Sequence, residues 1–197
     1  MTEAAHAVRV EHARGAKPNA WWGIALFVAT EATLFGTLIG SYFYLRFHAV
    51  EWPPAGVPKP HLTLPLVLTG VLVLTSLPVS FALSSARRSR VGRAQAALLV
   101  ALLVQAGYLG MQLHLYLHDL HVFSPRDTAY ASIYFTLLGA HHLHVLLAVL
   151  LEAWFILRLA SGVTRYRLVG LQATAFYVYF VNVLAIVVVG VQLSAAA

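Results

Sequence analysis

The chain has 197 residues, of which 60% are hydrophobic and only 10% charged, with a mean hydropathy of +0.77 and a formal net charge of +6. A soluble globule carries about a quarter charged residues, so this composition excludes an ordinary water-soluble fold and points to a protein of several membrane spans. With no cysteine present, disulfides, iron-sulfur clusters and thiolate nucleophiles are excluded as well.

Residues 1–20 read as a basic cytoplasmic arm carrying Arg9, Arg14 and Lys17 and ending in Pro18-Asn19. The arm holds charges and histidines but no apolar core, so no cleavable signal peptide is expected before the first span. Residues 21–197 form a single transmembrane domain. Its first span, 21–45, has one formal charge, Glu31, and is long enough to cross the roughly 30 Å hydrocarbon core as a helix. Trp21 and Trp22 at one end and Tyr42, Tyr44 and Arg46 at the other have apolar bodies with polar tips, the chemistry that settles at headgroup level. On the helical wheel Glu31 shares a face with Phe27, Leu34, Leu38 and Tyr42. Thr33, Gly36, Thr37 and Gly40 lie roughly opposite, a small-residue face suited to close helix packing in lipid, so two different neighbours are expected. A bare carboxylate at mid-membrane costs about 2.5–3.5 kcal/mol, so Glu31 is expected to be protonated, paired or beside water.

Trp52-Pro53-Pro54 opens a loop with four prolines in eight residues, which forbids regular helix. The second span, 62–83, has Pro65 in its first turn, where proline is tolerated, and Pro78 inside, where a kink is expected. Arg87, Arg88, Arg90 and Arg93 follow, a run that reads as a topological signal and not as a nucleic-acid site. The third span, 94–117, places Gln105, Tyr108, Gln112 and Tyr116 on one face, which should turn inward, with His114 opposite. A hydrophilic segment is expected over 118–128. The fourth span, 129–157, exceeds the membrane core and is expected to tilt or to reach the headgroups. The fifth, 168–193, is interrupted by Gln172, Asn182 and Gln192.

The arm, the Arg87 loop and the Arg158 loop hold ten of the lysines and arginines; the other side has Arg46, Lys59 and Arg126. The positive-inside rule therefore predicts a cytoplasmic amino terminus and, with five spans, an external carboxyl terminus. The fold expected is an all-α membrane protein, a five-transmembrane-helix bundle.

Gly139-Ala140-His141-His142-Leu143-His144 invites a metal, but on the wheel His141, His144, Tyr134 and Glu152 share a sector while His142 points about 100° away. At most two imidazoles could share one ion, where a site needs three or four ligands. The expected role is hydrogen bonding across the bundle to groups such as the Gln105–Gln112 face, with a proton relay as a second possibility. No phosphate-cradling loop, nucleophilic triad or base-stacking platform is present, so catalytic, metal and cofactor residues are expected to be absent and nucleic acid is not a partner.

The order of these features carries a resemblance: Phe27, Glu31, Leu34, Phe35, Tyr42, Phe43, Tyr44 and Arg46 in the first span, Trp52-Pro53-Pro54 in the loop, then Gly139, His141 and His144 in the penultimate span. The chain resembles subunit III of the haem-copper terminal oxidases, the cytochrome c and quinol oxidase family, in a short five-helix bacterial form. It departs from the pattern in the last span, where Val178, Tyr179, Asn182 and Ala185 replace the usual tryptophans, histidine and acid. His142 stands where a glycine is usual. The resemblance implies a non-catalytic subunit in the bacterial plasma membrane, bound to oxidase subunits I and II, with haem and copper in the catalytic partner. It also implies structural phospholipid, support of the partner's stability and proton uptake, and importance for Glu31, His141 and His144. Glu152, Gln105, Gln112 and Asn182 are further buried polar candidates, and Trp21, Trp22, Arg46 and Trp52 are candidates for contact with lipid or partner. Rival readings are an accessory subunit of a nitric oxide reductase and a small proton-conducting protein.

Overall fold

The computed structural model describes residues 19–57 and 62–196. The basic arm and Lys59 lie outside the described residues. Those described form six helices and no strand: α1 (Asn19–His48), α2 (Thr63–Leu74), α3 (Ser76–Arg87), α4 (Val91–Val122), α5 (Ala129–Ala160) and α6 (Arg165–Ala196). Counting α2 and α3 as one, five helical stretches are long and apolar enough to cross a membrane. Each follows its expected span and overruns it by a few residues, because the polar residues beyond the apolar stretch still support helix once outside the hydrocarbon.

Two departures have local causes. The expected hydrophilic segment 118–128 is helical as far as Val122, leaving only 123–128 as loop. The Phe123 N–H still donates to the Asp119 carbonyl at 3.0 Å, and the Tyr134 hydroxyl holds the Asp119 carboxylate at 2.7 Å. In the second span the expected kink becomes an interruption at Thr75. Pro78 has no N–H for the carbonyl of Leu74 four residues earlier, so the ladder opens there, and the Thr75 N–H donates to Leu72 at 3.0 Å instead.

The spans are joined by tight turns. Ser89, with φ of +57°, reverses the chain between α3 and α4, with the Arg90 N–H donating to Ser85 at 2.9 Å. Gly162, with φ of +91°, ends α5 in a conformation that side chains disfavour, and its carbonyl accepts from Arg167 at 2.7 Å. Both turns lie at one end of the bundle, where Ala86, Ala94, Leu98, Leu159 and Leu171 form a buried cluster and Gln95 donates across to the Ile156 carbonyl. The opposite end gathers Tyr42, Trp52, Tyr130 and Ser194. The arginine-rich loops therefore share one end, as the charge count requires.

Helix α6 is the most enclosed span, packed against α1, α2, α3 and α5, while α4 leans on α2, α3 and α5. Helix α1 is the least enclosed and touches only α5 and α6. Its Phe35 and Tyr42 are buried against them, but Thr33, Gly36, Thr37 and Gly40 face outward with nothing near the glycines. One of the two neighbours expected for α1 is thus supplied by α5 and α6, and the other is not found among the described residues.

Thr128 caps α5, its hydroxyl accepting the Ala131 N–H at 3.0 Å. Thr128→Ala should cost about 1 kcal/mol and lower the melting temperature in detergent by about 2–4 °C, with Thr128→Ser nearly neutral. Equal melting of Thr128→Ala and the native chain would remove the cap from the account.

Candidate functional site

Glu31, alone among ionisable groups in its span, finds its partner on α5. Its Oε2 lies 2.8 Å from His144 Nε2. The other nitrogen of that imidazole, Nδ1, lies 2.7 Å from the Ala140 carbonyl, which can only accept. Nδ1 therefore carries a proton and Nε2 meets the carboxyl. One further proton lies between the two side chains, so the pair is neutral as a unit whichever atom holds it. This resolves the burial cost of the acid in favour of pairing. Phe35 packs edge-on against the imidazole at 5.1 Å and Tyr177 of α6 lies on its other side at 6.4 Å, which holds the ring in place.

A second polar group sits deeper. Gln105 of α4 donates from Nε2 to Glu152 Oε1 of α5 at 3.0 Å and to Thr75 Oγ1 at 3.4 Å. Asn182 of α6 donates to the same Thr75 oxygen at 3.3 Å and to Ser76 Oγ at 2.8 Å. Thr75 in turn donates to the Leu72 carbonyl at 2.6 Å. Glu152, Gln105, Thr75 and Asn182 are exposed by 0, 1, 2 and 3%. Two spans, α4 and α6, thus meet the hydroxyls of the interrupted turn, and α5 joins them through Gln105. Gln105 Oε1 and Glu152 Oε2 have no hydrogen-bond partner among the described residues. Two bare acceptors side by side are costly, whereas a proton on Glu152 makes one of them a donor, so the chemistry of the site favours the neutral carboxyl.

His141 and His144 share a sector of α5 but serve different neighbours. His141 Nε2 lies 3.2 Å from the Tyr108 hydroxyl of α4, while His144 turns to α1. The glutamine face does turn inward, with Gln105, Tyr108 and Gln112 buried and His114 exposed. The imidazole meets its tyrosine, and the amide of Gln105 goes to Glu152. His142 packs edge-on against Tyr116 at 5.6 Å. Gly139 leaves room for Tyr116, whose hydroxyl would stand 3.3 Å from any added Cβ. Among the described residues no three histidine, aspartate or glutamate side chains gather as a metal-ligating group.

The candidates at the bundle ends divide. Trp22 is exposed and Arg46 half-buried. Trp21 and Trp22 meet edge-to-face at 5.1 Å. Trp52 is part of the packing, its N–H donating to the Tyr42 hydroxyl at 3.0 Å and its ring against Tyr130 at 5.0 Å. Tyr42, expected at the headgroups, is buried by these contacts. Sequence reasoning missed Thr75 and Ser76 as functional positions. The signal available was Pro78, which frees a carbonyl one residue before Thr75.

Glu31→Gln keeps a hydrogen-bonding group opposite His144 and should retain assembly and stability, whereas Glu31→Leu leaves Nε2 unpartnered and should cost about 1–3 kcal/mol in thermal unfolding. Loss of assembly in Glu31→Gln would show that the charge is required. Likewise Glu152→Gln should be tolerated and Glu152→Leu should destabilise by about 1–3 kcal/mol, since Gln105 then stays buried without its acceptor. Equal stability of the two Glu152 variants would rule out the neutral pair.

The family model described as cytochrome c oxidase subunit III matches residues 2–191. Subunit 3 of the cytochrome bo(3) ubiquinol oxidase of Pseudomonas aeruginosa is 32% identical over 158 residues, covering 79% of this chain and 73% of that protein. Cytochrome c oxidase subunit 3 of Bacillus subtilis is 27% identical over 168 residues, with 84% and 81% covered. The human cytochrome c oxidase subunit 3 is 27% identical over 169 residues, with 82% and 64% covered. A match of this extent, on a bundle with five stretches able to span a membrane, shows a multi-pass membrane protein that belongs to the cytochrome c oxidase subunit III family, the subunit III of multi-subunit haem-copper oxidases.

Proposed function

We propose that the chain is the non-catalytic subunit III of a bacterial haem-copper oxygen reductase, seated in the plasma membrane beside subunits I and II with its amino terminus in the cytoplasm. The observation that carries this reading is the outward face of α1, where Thr33, Gly36, Thr37 and Gly40 are exposed and nothing among the described residues packs over the two glycines. Small residues let a foreign helix approach closely in lipid, where van der Waals contact drives association. The gathering of the arginine-rich loops at one end supports the orientation.

Haem and copper belong to the catalytic partner in this reading, because the two imidazoles that share a sector of α5 serve different neighbours. Both nitrogens of His144 are hydrogen-bonded and Nε2 of His141 meets Tyr108. The role left to this chain is mechanical and dielectric. It flanks the partner, presents exposed apolar side chains such as Leu26, Leu103 and Trp154 to phospholipid, and keeps neutral acid pairs near the path of proton uptake. The relatives are named for both cytochrome c and ubiquinol oxidases, so the electron donor follows from the partner and not from this chain.

The test is purification of the tagged chain from its own membranes. It should bring a haem-copper subunit in equal amount, and the separated chain should show no haem absorbance. Gly36→Leu with Gly40→Leu should reduce the co-purified subunit severalfold while the chain stays in the membrane. Haem or copper retained by the separated chain, or undiminished partner in the double variant, would overturn the reading.

A further inference from the structure

A cavity of about 530 Å³ lies between α2, the second half of α4, the first half of α5 and the end of α6, apart from the Glu31 pair and the Thr75 group. Leu115, Leu138, Val188 and Val189 supply apolar walls. Two polar side chains that line it, His142 and Gln192, are only 8% and 7% exposed, and neither hydrogen-bonds to any described residue. Gln105, Asn182, Glu152, His141 and His144 each have a hydrogen-bond partner on another helix, whereas these two are buried toward something the described residues do not supply.

The positions of the two define a shape. Tyr130 and Ser194 both gather around Tyr42 and Trp52 at one end of the bundle. His142 is twelve residues inward from Tyr130 and Gln192 two from Ser194, a difference of roughly 15 Å of helix rise. Leu138, Val188 and Val189 lie between, and the lining is mostly apolar, with Gln112 and Tyr134 among its further polar groups. An apolar cavity of about 150 Å³ already takes up a benzene-sized guest, and this one is several times larger. Beside His142 the floor also has His141 and Tyr108. No lysine or arginine lines the cavity among the described residues, and its Asp119 is already bonded to Tyr134, so a charged head would lack a counter-ion.

We infer that this cavity binds an uncharged, elongated amphiphile, a hydrocarbon chain ending in a hydroxyl or carbonyl, with the head against His142 and the chain along Leu138 and Val188. The polar end is specified by the unpartnered imidazole and the apolar body by the walls. His142, which stands where the family resemblance leads one to expect glycine, is the residue that gives this chain the site.

The test uses membranes bearing the intact complex and a dodecanol with a diazirine in its chain. Illumination should place adducts on Leu138 or Val188, and excess plain dodecanol should remove them. The corresponding alkane, without the hydroxyl, should label these positions about tenfold less, the factor one hydrogen bond accounts for. His142→Gly should erase the difference between alcohol and alkane, and Val188→Phe should block both. If Val188→Phe fails to assemble, the competition and the alcohol–alkane comparison in the native chain decide. Adducts confined to outward residues such as Leu103 and Leu146, or equal labelling by alcohol and alkane in the native chain, would overturn the proposal.

Discussion

Inside the hydrocarbon there is no bulk water to complete a polar side chain, so an acid, amide or imidazole placed at mid-span is stabilised by a group on another helix or by a bound molecule. That constraint organises the bundle. Glu31 ties α1 to α5 through His144, Glu152 ties α5 to α4 through Gln105, and Asn182 ties α6 to the second span. Apolar contact alone discriminates weakly between helices in lipid, because acyl chains are as apolar as leucine. The cross-helix hydrogen bonds, each worth about 1–2 kcal/mol at most, fix which faces meet.

The interruption at Thr75 is the physical centre of this arrangement. Proline at position 78 opens the helical ladder, and the hydroxyls of Thr75 and Ser76 then take donors from α4 and α6 at once. A defect in one helix thereby becomes the anchor for two others and, through Gln105, is linked to Glu152 of α5. Asn182 occupies a position where the family resemblance leads one to expect an acid, and the amide suits its site, since it donates to both hydroxyls. The departure from the family pattern is therefore matched by the local hydrogen bonding of this chain.

The two glutamates show how the same residue type is held in different ways. Glu31 is held by a base and shares a proton with it, whereas Glu152 is held by an amide that can neither give nor take charge. Both solutions leave the bundle interior without net charge.

Composition and periodicity were enough to determine five spans, the buried face of Gln105, Tyr108 and Gln112, and the kink near Pro78, because each depends on residues local to one helix. They also determined that Glu31 had to be protonated, paired or beside water, since the cost of a buried charge depends on the medium and not on the fold. Which group answered it was decided by tertiary structure. His141 and His144 look alike on a helical wheel, yet one meets Tyr108 and the other Glu31, because α4 and α1 approach α5 from different sides. The helical extension through Asp119, the burial of Tyr42 under Trp52 and the gathering of Thr75, Gln105, Glu152 and Asn182 likewise depend on how helices far apart in the chain come together, which no single-helix period encodes.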